Sequence, residues 1–148
     1  MSFAMDIKAT PHLEEALHAG LGALRAADKT HVKQGDTTRL LGSVDIDSAL
    51  HDAEPNAARW DYLIGEQLGN QERLHWVEVH PASGMGNIGE IERKLAWLTH
   101  WMRGTTLVTY PKRIVWVASG KSSFNSRHPA LKTLASRGLV YAGGQLSI

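Results

Sequence analysis

Three polar side chains interrupt two apolar segments in the middle of the chain, and their types and spacing could support chemistry. Asp61 lies near the start of the segment Trp60 to Gly65, and the segment Arg73 to His80 ends in Glu78, a valine and His80. Because side chains alternate across a strand, Glu78 and His80 point to the same face. A carboxylate in an apolar strand costs desolvation energy unless a metal, a cation or a hydrogen-bond donor compensates for it. The sequence therefore predicts a functional centre in this hairpin.

The elements that must position these side chains follow in the order α-β-β-β-α-β-α-β. Leucines at helical spacing predict the first helix, and a continuous apolar run after the second helix is typical of a central strand. The predicted bounds are a helix from Thr10 to about Ala27, a loop 28–38, a strand Leu40 to Asp47 with a short helical turn at its end, the hairpin with its turn Glu66 to Glu72, a loop Pro81 to Gly86, a helix Asn87 to Arg103, a strand Arg113 to Ala118, a helix Ser126 to Arg137 and a strand Leu139 to Ala142. This order predicts an α/β fold in which a mixed central sheet is flanked by helices, within a single domain 1–148.

The net charge of +1 conceals a strong asymmetry along the chain. All fifteen acidic residues lie at or before Glu92, where seven lysines and arginines leave a balance of −8, and residues 93–148 carry nine basic residues and no acid. A basic half can neutralise phosphates and an acidic half can hold a divalent cation, or the two halves can neutralise each other within the fold. The absence of cysteine, of a signal-like start and of a membrane-length apolar segment favours a cytoplasmic protein without membrane contact.

An acid on one strand and a glutamate half-motif on the next, in an αβββαβ order, resemble the PD-(D/E)xK (restriction-endonuclease-like) nuclease superfamily. The resemblance runs from about Leu13 to Gly120. Carried over residue by residue, Asp61 matches the strand carboxylate and Glu78 matches the glutamate of the second half-motif. His80 stands where that family usually has lysine. The resemblance thus implies a metal-dependent nuclease or phosphodiesterase that acts on DNA or RNA.

The same resemblance implies roles for several side chains. Asp61 and Glu78 would bind Mg²⁺ or Mn²⁺, and the metal would activate a water and neutralise charge on the phosphate. His80, or Lys94 on the next helix, would serve that water as the family lysine does. Glu14 on the predicted first helix is a weaker candidate for a further acid. Because His80 replaces the usual lysine, three alternatives stay open. The histidine is a tolerated variant, Lys94 takes over the role of the lysine, or the site is inactive.

Other features of the chain add partners and alternatives. Asp45 and Asp47, on one face of the predicted strand, would extend the acidic cluster or would be solvated or cap the next turn. Lys121 and Arg127, in a basic, hydroxyl-rich loop, would contact a phosphate or form an ordinary surface loop. Trp97 and Trp101 would stack on bases, pack beneath the first helix, or form a homodimer interface.

Two further functions remain open at the level of sequence. A non-catalytic module of the same fold would bind nucleic acid or a protein partner. The segment Gly84 to Gly89 fits the pattern G-x-G-x-x-G and opens a helix, which is typical of a dinucleotide-binding enzyme. The preceding strand, however, is separated from Gly84 by three residues, and the next strand ends without a ribose-binding acid.

Overall fold

A mixed sheet of six strands forms the centre of the structure, a computed structural model that describes residues 2–125 and 127–148. Its strands are β1 (Leu17–His18), β3 (Leu40–Asp45), β4 (Tyr62–Leu68), β5 (Gln71–His80), β6 (Lys112–Ala118) and β7 (Leu139–Tyr141), in the spatial order β1-β3-β4-β5-β6-β7. The β1, β3, β4 and β5 pairings are antiparallel, whereas β5, β6 and β7 are parallel. A second, parallel pair joins β2 (Val32–Lys33) to β8 (Leu146–Ser147).

The parallel pairings require crossover connections, and helices supply them. Helix α4 (Met85–Arg103) connects β5 to β6, and α5 (Pro129–Ser136) connects β6 to β7. The remaining helices are α1 (Phe3–Ala9), α2 (Ala26–Lys29) and α3 (Ile46–Leu50), with 3-10 turns at Thr37–Arg39 and Thr106–Thr109. The predicted α/β class with a mixed central sheet flanked by helices is confirmed. Within the described residues, no helix is long and apolar enough to cross a membrane.

The hairpin and the elements that follow it lie close to their predicted positions. The turn of the hairpin is shorter than predicted, because β4 continues to Leu68 and only Gly69 and Asn70 separate it from β5. The predicted strand before the hairpin ends at Asp45, where α3 begins. Helix α5 begins at Pro129, and Ser126, its predicted first residue, lies outside the described residues.

The predicted first helix from Thr10 to Ala27 is wrong. Helix α1 ends at Ala9, before the predicted start. The predicted segment instead contains turns, the short strand β1 and the start of α2. The buried leucines in this segment divide between the two faces of the sheet: Leu13 packs into one core, and Leu21 and Leu24 into the other. Their helical spacing therefore reflects burial on two different surfaces.

Each face of the sheet has its own hydrophobic core. Helix α4 packs on the first face through buried side chains at helical spacing, such as Ile91, Leu95 and Leu98. Helix α1 joins this core where Phe3 covers Gly65, since a Cβ at Gly65 would lie 2.8 Å from the Phe3 ring. Alternation along β5 places Trp76 in this core and Val77 in the second.

The second face also contains a buried polar network. His75 Nε2 lies 2.8 Å from Glu66 Oε1, and Arg113 Nε donates to His75 Nδ1 at 2.9 Å. Arg113 also donates to the carbonyl of Ser147 in β8. The network therefore satisfies a buried glutamate and ties the small β2–β8 sheet to the main one.

Candidate functional site

Asp61 and Glu78 face each other where the ladder between β4 and β5 ends. The backbone N–H of Asp61 donates to Glu78 Oε1 at 3.0 Å. The backbone N–H of Val79 donates to Asp61 Oδ2, also at 3.0 Å. Each carboxylate therefore accepts a backbone hydrogen bond from the opposite segment, which fixes both side chains at the same edge of the structure.

Lys94 brings a positive charge to this pair from α4. Its Nζ lies 2.6 Å from Glu78 Oε2, and the Glu78 side chain is almost fully buried. A buried carboxylate needs such a partner because removal from water disfavours its charge. Burial lowers the pKa of Lys94, but the charge of Glu78 and the hydrogen bond to it outweigh that effect, so the pKa is raised overall.

His80 lies on the same face as Glu78, as predicted. Its Nδ1 is 3.5 Å from Glu78 Oε2, and its Nε2 is 3.4 Å from Glu90 Oε1 on α4. The Nε2 atom is buried and finds no aligned hydrogen-bond partner among the described residues. The Glu78 carboxylate raises the pKa of His80 against the opposing effect of burial, which favours a protonated ring at the site.

The two carboxylates are close enough to affect each other's charge. Burial and, next, the charge of Glu78 raise the pKa of Asp61 to about 8, while the charge of Lys94 opposes this shift. In the absence of another cation, the Asp61 carboxyl therefore favours its protonated form at neutral pH. Its second oxygen, Oδ1, accepts no hydrogen bond from the part of the chain that the structure describes.

One acid near the site, Asp28, is not among the residues predicted from the sequence. Asp28 lies on α2, and its Oδ2 accepts a hydrogen bond of 2.5 Å from the hydroxyl of Tyr62, the residue after Asp61. The charge of Asp28 contributes to the raised pKa of Asp61. No sequence signal identifies it, because it falls in the polar segment 28–38, which the sequence predicts to be a loop.

The two weaker acidic candidates lie elsewhere. Glu14 is not on a helix: it is exposed in a turn after α1, and its own backbone and His12 lower its pKa. Asp45 caps α3, where its carboxylate accepts hydrogen bonds from the backbone N–H and the hydroxyl of Ser48. Asp47 does not share a strand face with Asp45, since it lies within α3 and pairs with Arg59 at 2.9 Å. The capping alternative for Asp45 is thus the one the structure supports.

The basic loop between β6 and α5 lies beside the end of β5. The backbone N–H of Ser119 donates to the carbonyl of His80, and that of Ser123 to the carbonyl of Ala82. Lys121 and Arg127, on this loop, are exposed and form no ion pair with the residues that the structure describes. The loop thus carries two exposed cations on the side of the site where β5 ends.

The glycine segment Gly84 to Gly89 does not form a tight turn after a strand. Gly84 caps α4, and Gly86 and Gly89 lie within the helix. The Asn87 side chain accepts hydrogen bonds from the backbone N–H groups of Ser83 and Gly84, so it caps the start of α4. Of the three glycines, only Gly89 would bring a Cβ within 4 Å of a neighbour.

Asp61 and Glu78 are the two carboxylates at this site that could contact a metal ion. Within residues 2–125 and 127–148, no group of three or more histidine, aspartate and glutamate side chains is arranged to hold a metal ion. Mg²⁺ is commonly held by one or two carboxylates, with water and substrate phosphate as its other ligands. Asp61 Oδ1 accepts no hydrogen bond from the described residues, whereas each oxygen of Glu78 already accepts one.

Comparison of the chain with protein-family models, with curated proteins and with solved structures gives no match.

Proposed function

We propose that this protein hydrolyses phosphodiester bonds of DNA or RNA with the aid of a divalent cation, Mg²⁺ or Mn²⁺. One observation carries the proposal: Asp61, just before β4, Glu78 on β5 and Lys94 on α4 lie together at the end of one strand pair. A buried glutamate paired with an ammonium group, with the carboxyl of Asp61 near enough to feel both charges, is a costly arrangement unless the site is functional or fully neutralised.

Asp61 and Glu78 would hold the cation through carboxylate oxygens. When bound, the cation lowers the pKa of a coordinated water and neutralises charge that develops on the phosphate. Glu78 is held rigid by the Asp61 N–H and by Lys94, which limits the positions that a substrate phosphate can take. The exposed Lys121 and Arg127 would contact the nucleic-acid backbone beyond the site.

Lys94 and His80 would share the role of the lysine that the sequence resemblance leads us to expect at position 80. Lys94 pairs with the buried Glu78 carboxylate and supplies a positive charge beside the site. His80 places Nε2, a buried atom without an aligned partner in the described structure, beside Glu90 and can accept or donate a proton. The proposal assigns the water-orienting role to Lys94 and proton transfer to His80.

The test is a cleavage assay with plasmid DNA and single-stranded RNA in Mg²⁺ or Mn²⁺. We expect Asp61→Ala and Glu78→Ala to lower the rate by at least about 100-fold, the size of effect expected when electrostatic stabilisation is lost. The matched control is Asp52→Ala, because Asp52 is fully exposed. Cleavage that persists in the purified Asp61→Ala and Glu78→Ala proteins would contradict the proposal.

A second candidate is a non-catalytic module that binds nucleic acid or a protein partner. The observation that favours it is the burial of Glu78, whose two oxygens already accept hydrogen bonds from Asp61 and Lys94. On this alternative the Lys94–Glu78 pair is structural. Binding of nucleic acid without cleavage, unchanged by Asp61→Asn and by Mg²⁺, would support the module over the enzyme.

A further inference from the structure

A second concave site lies along α4, beyond the candidate site. It is a cavity of about 310 Å³ between the later turns of α4, the turn that follows α1, and the segment after α3. The side chains that carry the argument are His12, Glu54, Trp97, His100 and Trp101. A cavity of this size lies at the lower end of the range for small-molecule sites.

One wall of this cavity is aromatic and rigid. The rings of Trp97 and Trp101 stack with centroids 5.7 Å apart and planes 13° from parallel. Trp76, buried in the first core, meets Trp101 edge to face at 6.1 Å. The two indoles of the wall are therefore held in place before any ligand enters.

With His12 and His100 in their neutral forms, the charge of the cavity is negative. Glu54 is its carboxylate, and no lysine or arginine of the described chain lines it. Trp97 Nε1 donates to Glu54 Oε1 at 3.0 Å, which orients the carboxylate beside the aromatic wall. Indole faces and a carboxylate both attract a cation, whereas a phosphate or a carboxylate ligand would be repelled.

The backbone at the rim of the cavity is strained. His12 has a φ of 73°, the left-handed region that residues with a Cβ seldom adopt. Such a conformation costs about 1–2 kcal/mol. Strain of this kind is concentrated at ligand-binding positions, where the surrounding structure maintains it.

We propose that this cavity binds a small organic cation, an alkylammonium or quaternary ammonium group, between the Trp97–Trp101 wall and the Glu54 carboxylate. The site is separate from the one around Asp61 and Glu78, so the proposal does not depend on the proposed nuclease function. Trp97 follows Lys94 by one turn of α4, which places the two sites side by side on one helix.

The test is a titration of the ¹⁵N-labelled protein with tetramethylammonium chloride at pH 8, above the ordinary titration range of histidine. The five indole N–H signals are followed by NMR, and Trp97→Phe and Trp101→Phe assign two of them. We expect saturable shifts for Trp97 and Trp101 and none for Trp116, whose Nε1 donates to the carbonyl of His80. Sodium chloride controls for ionic strength, and tert-butanol serves as the neutral isostere.

Glu54→Gln should weaken binding about tenfold, and the matched control Glu92→Gln, on α4 but outside the cavity, should leave it unchanged. Trp97→Leu, which keeps Glu54, should weaken binding at least about fivefold and serves as the test if Glu54→Gln does not fold. The proposal is overturned if no saturable shift appears at Trp97 or Trp101, if tert-butanol binds as well as the cation, or if the folded variants bind as tightly as the parent.

Discussion

Lys94 Nζ lies 2.6 Å from Glu78 Oε2, so the lysine of the candidate site comes from helix α4 and not from the strand that carries the glutamate. On the strand itself, the ring of His80 lies 3.5 Å from the same glutamate oxygen. The Glu78 side chain is 1% exposed and that of Lys94 is 21% exposed. The pair is thus shielded from water, and each charge depends on the other.

Lys94→Met should destabilise the fold as well as abolish cleavage. Removing one partner of a buried ion pair leaves an uncompensated charge and costs about 3–5 kcal/mol. Urea unfolding at pH 7 measures this change. Lys132→Met, an exposed lysine on α5, is the control and should alter stability by less than about 0.5 kcal/mol.

The double variant Lys94→Met with Glu78→Gln separates structure from chemistry. Because it removes both charges, we expect it to recover most of the stability that Lys94→Met loses. Cleavage should remain absent, since the double variant lacks a metal-binding carboxylate. A double variant as unstable as Lys94→Met alone would contradict the ion-pair account.

Asp61→Asn should remove a pH dependence of stability, measured by unfolding in EDTA. Asp61 has a pKa of about 8 in the folded protein, whereas an aspartate in an unfolded chain has a pKa of about 3.9. Above pH 4 the unfolded chain ionises while the folded one stays protonated. The parent protein therefore loses up to about 1.4 kcal/mol of stability per pH unit as the pH rises towards 8.

The asparagine variant keeps an oxygen for the Val79 N–H and carries no charge at any pH. It should show a flatter profile between pH 4 and pH 8 and be more stable than the parent at pH 8. If the free energy of unfolding depends on pH in the same way in both proteins, Asp61 is ionised in the folded state.

The hairpin and α4 could be predicted because their patterns are local. Alternation along β5 puts Glu78 and His80 on one face, and the apolar spacing of α4 fixes which side of that helix meets the sheet. Lys94 borders that apolar side, so its approach to Glu78 follows from the pattern. These residues make up most of the candidate site.

The N-terminal part could not be predicted because its contacts are not local. Phe3 packs on Gly65, more than sixty residues away, and Asp6 in α1 accepts hydrogen bonds from Thr106 and Tyr110. The leucine spacing that predicts a helix from Thr10 to Ala27 instead distributes side chains between two cores. The proximity of Asp28 to Tyr62 depends on that tertiary arrangement as well.

Two glycine substitutions should have opposite effects on stability. Gly65→Ala places a Cβ 2.8 Å from the Phe3 ring, and overpacking of this kind costs about 1–3 kcal/mol. Gly86→Ala lies in the first turns of α4 with no neighbour within 4 Å and should stabilise the protein by up to about 1 kcal/mol. Urea unfolding of both variants measures the contrast. A Gly65→Ala protein as stable as the parent would contradict the packing of α1 on β4.

Lys121 and Arg127 should contribute to nucleic-acid affinity through charge alone. Each phosphate contact that is lost should reduce the slope of log affinity against log salt by about 0.9 for duplex DNA. Fluorescence anisotropy with a labelled duplex, in EDTA and over a range of salt concentrations, measures the slope for the Lys121→Ala/Arg127→Ala protein. The charge-matched control is Lys8→Ala/Arg39→Ala, which removes two exposed cations from the acidic half of the chain. If both double variants reduce the slope equally, the loop beside His80 has no special role in binding. A reduction seen only for the Lys121→Ala/Arg127→Ala protein would assign the contact with the nucleic-acid backbone to that loop.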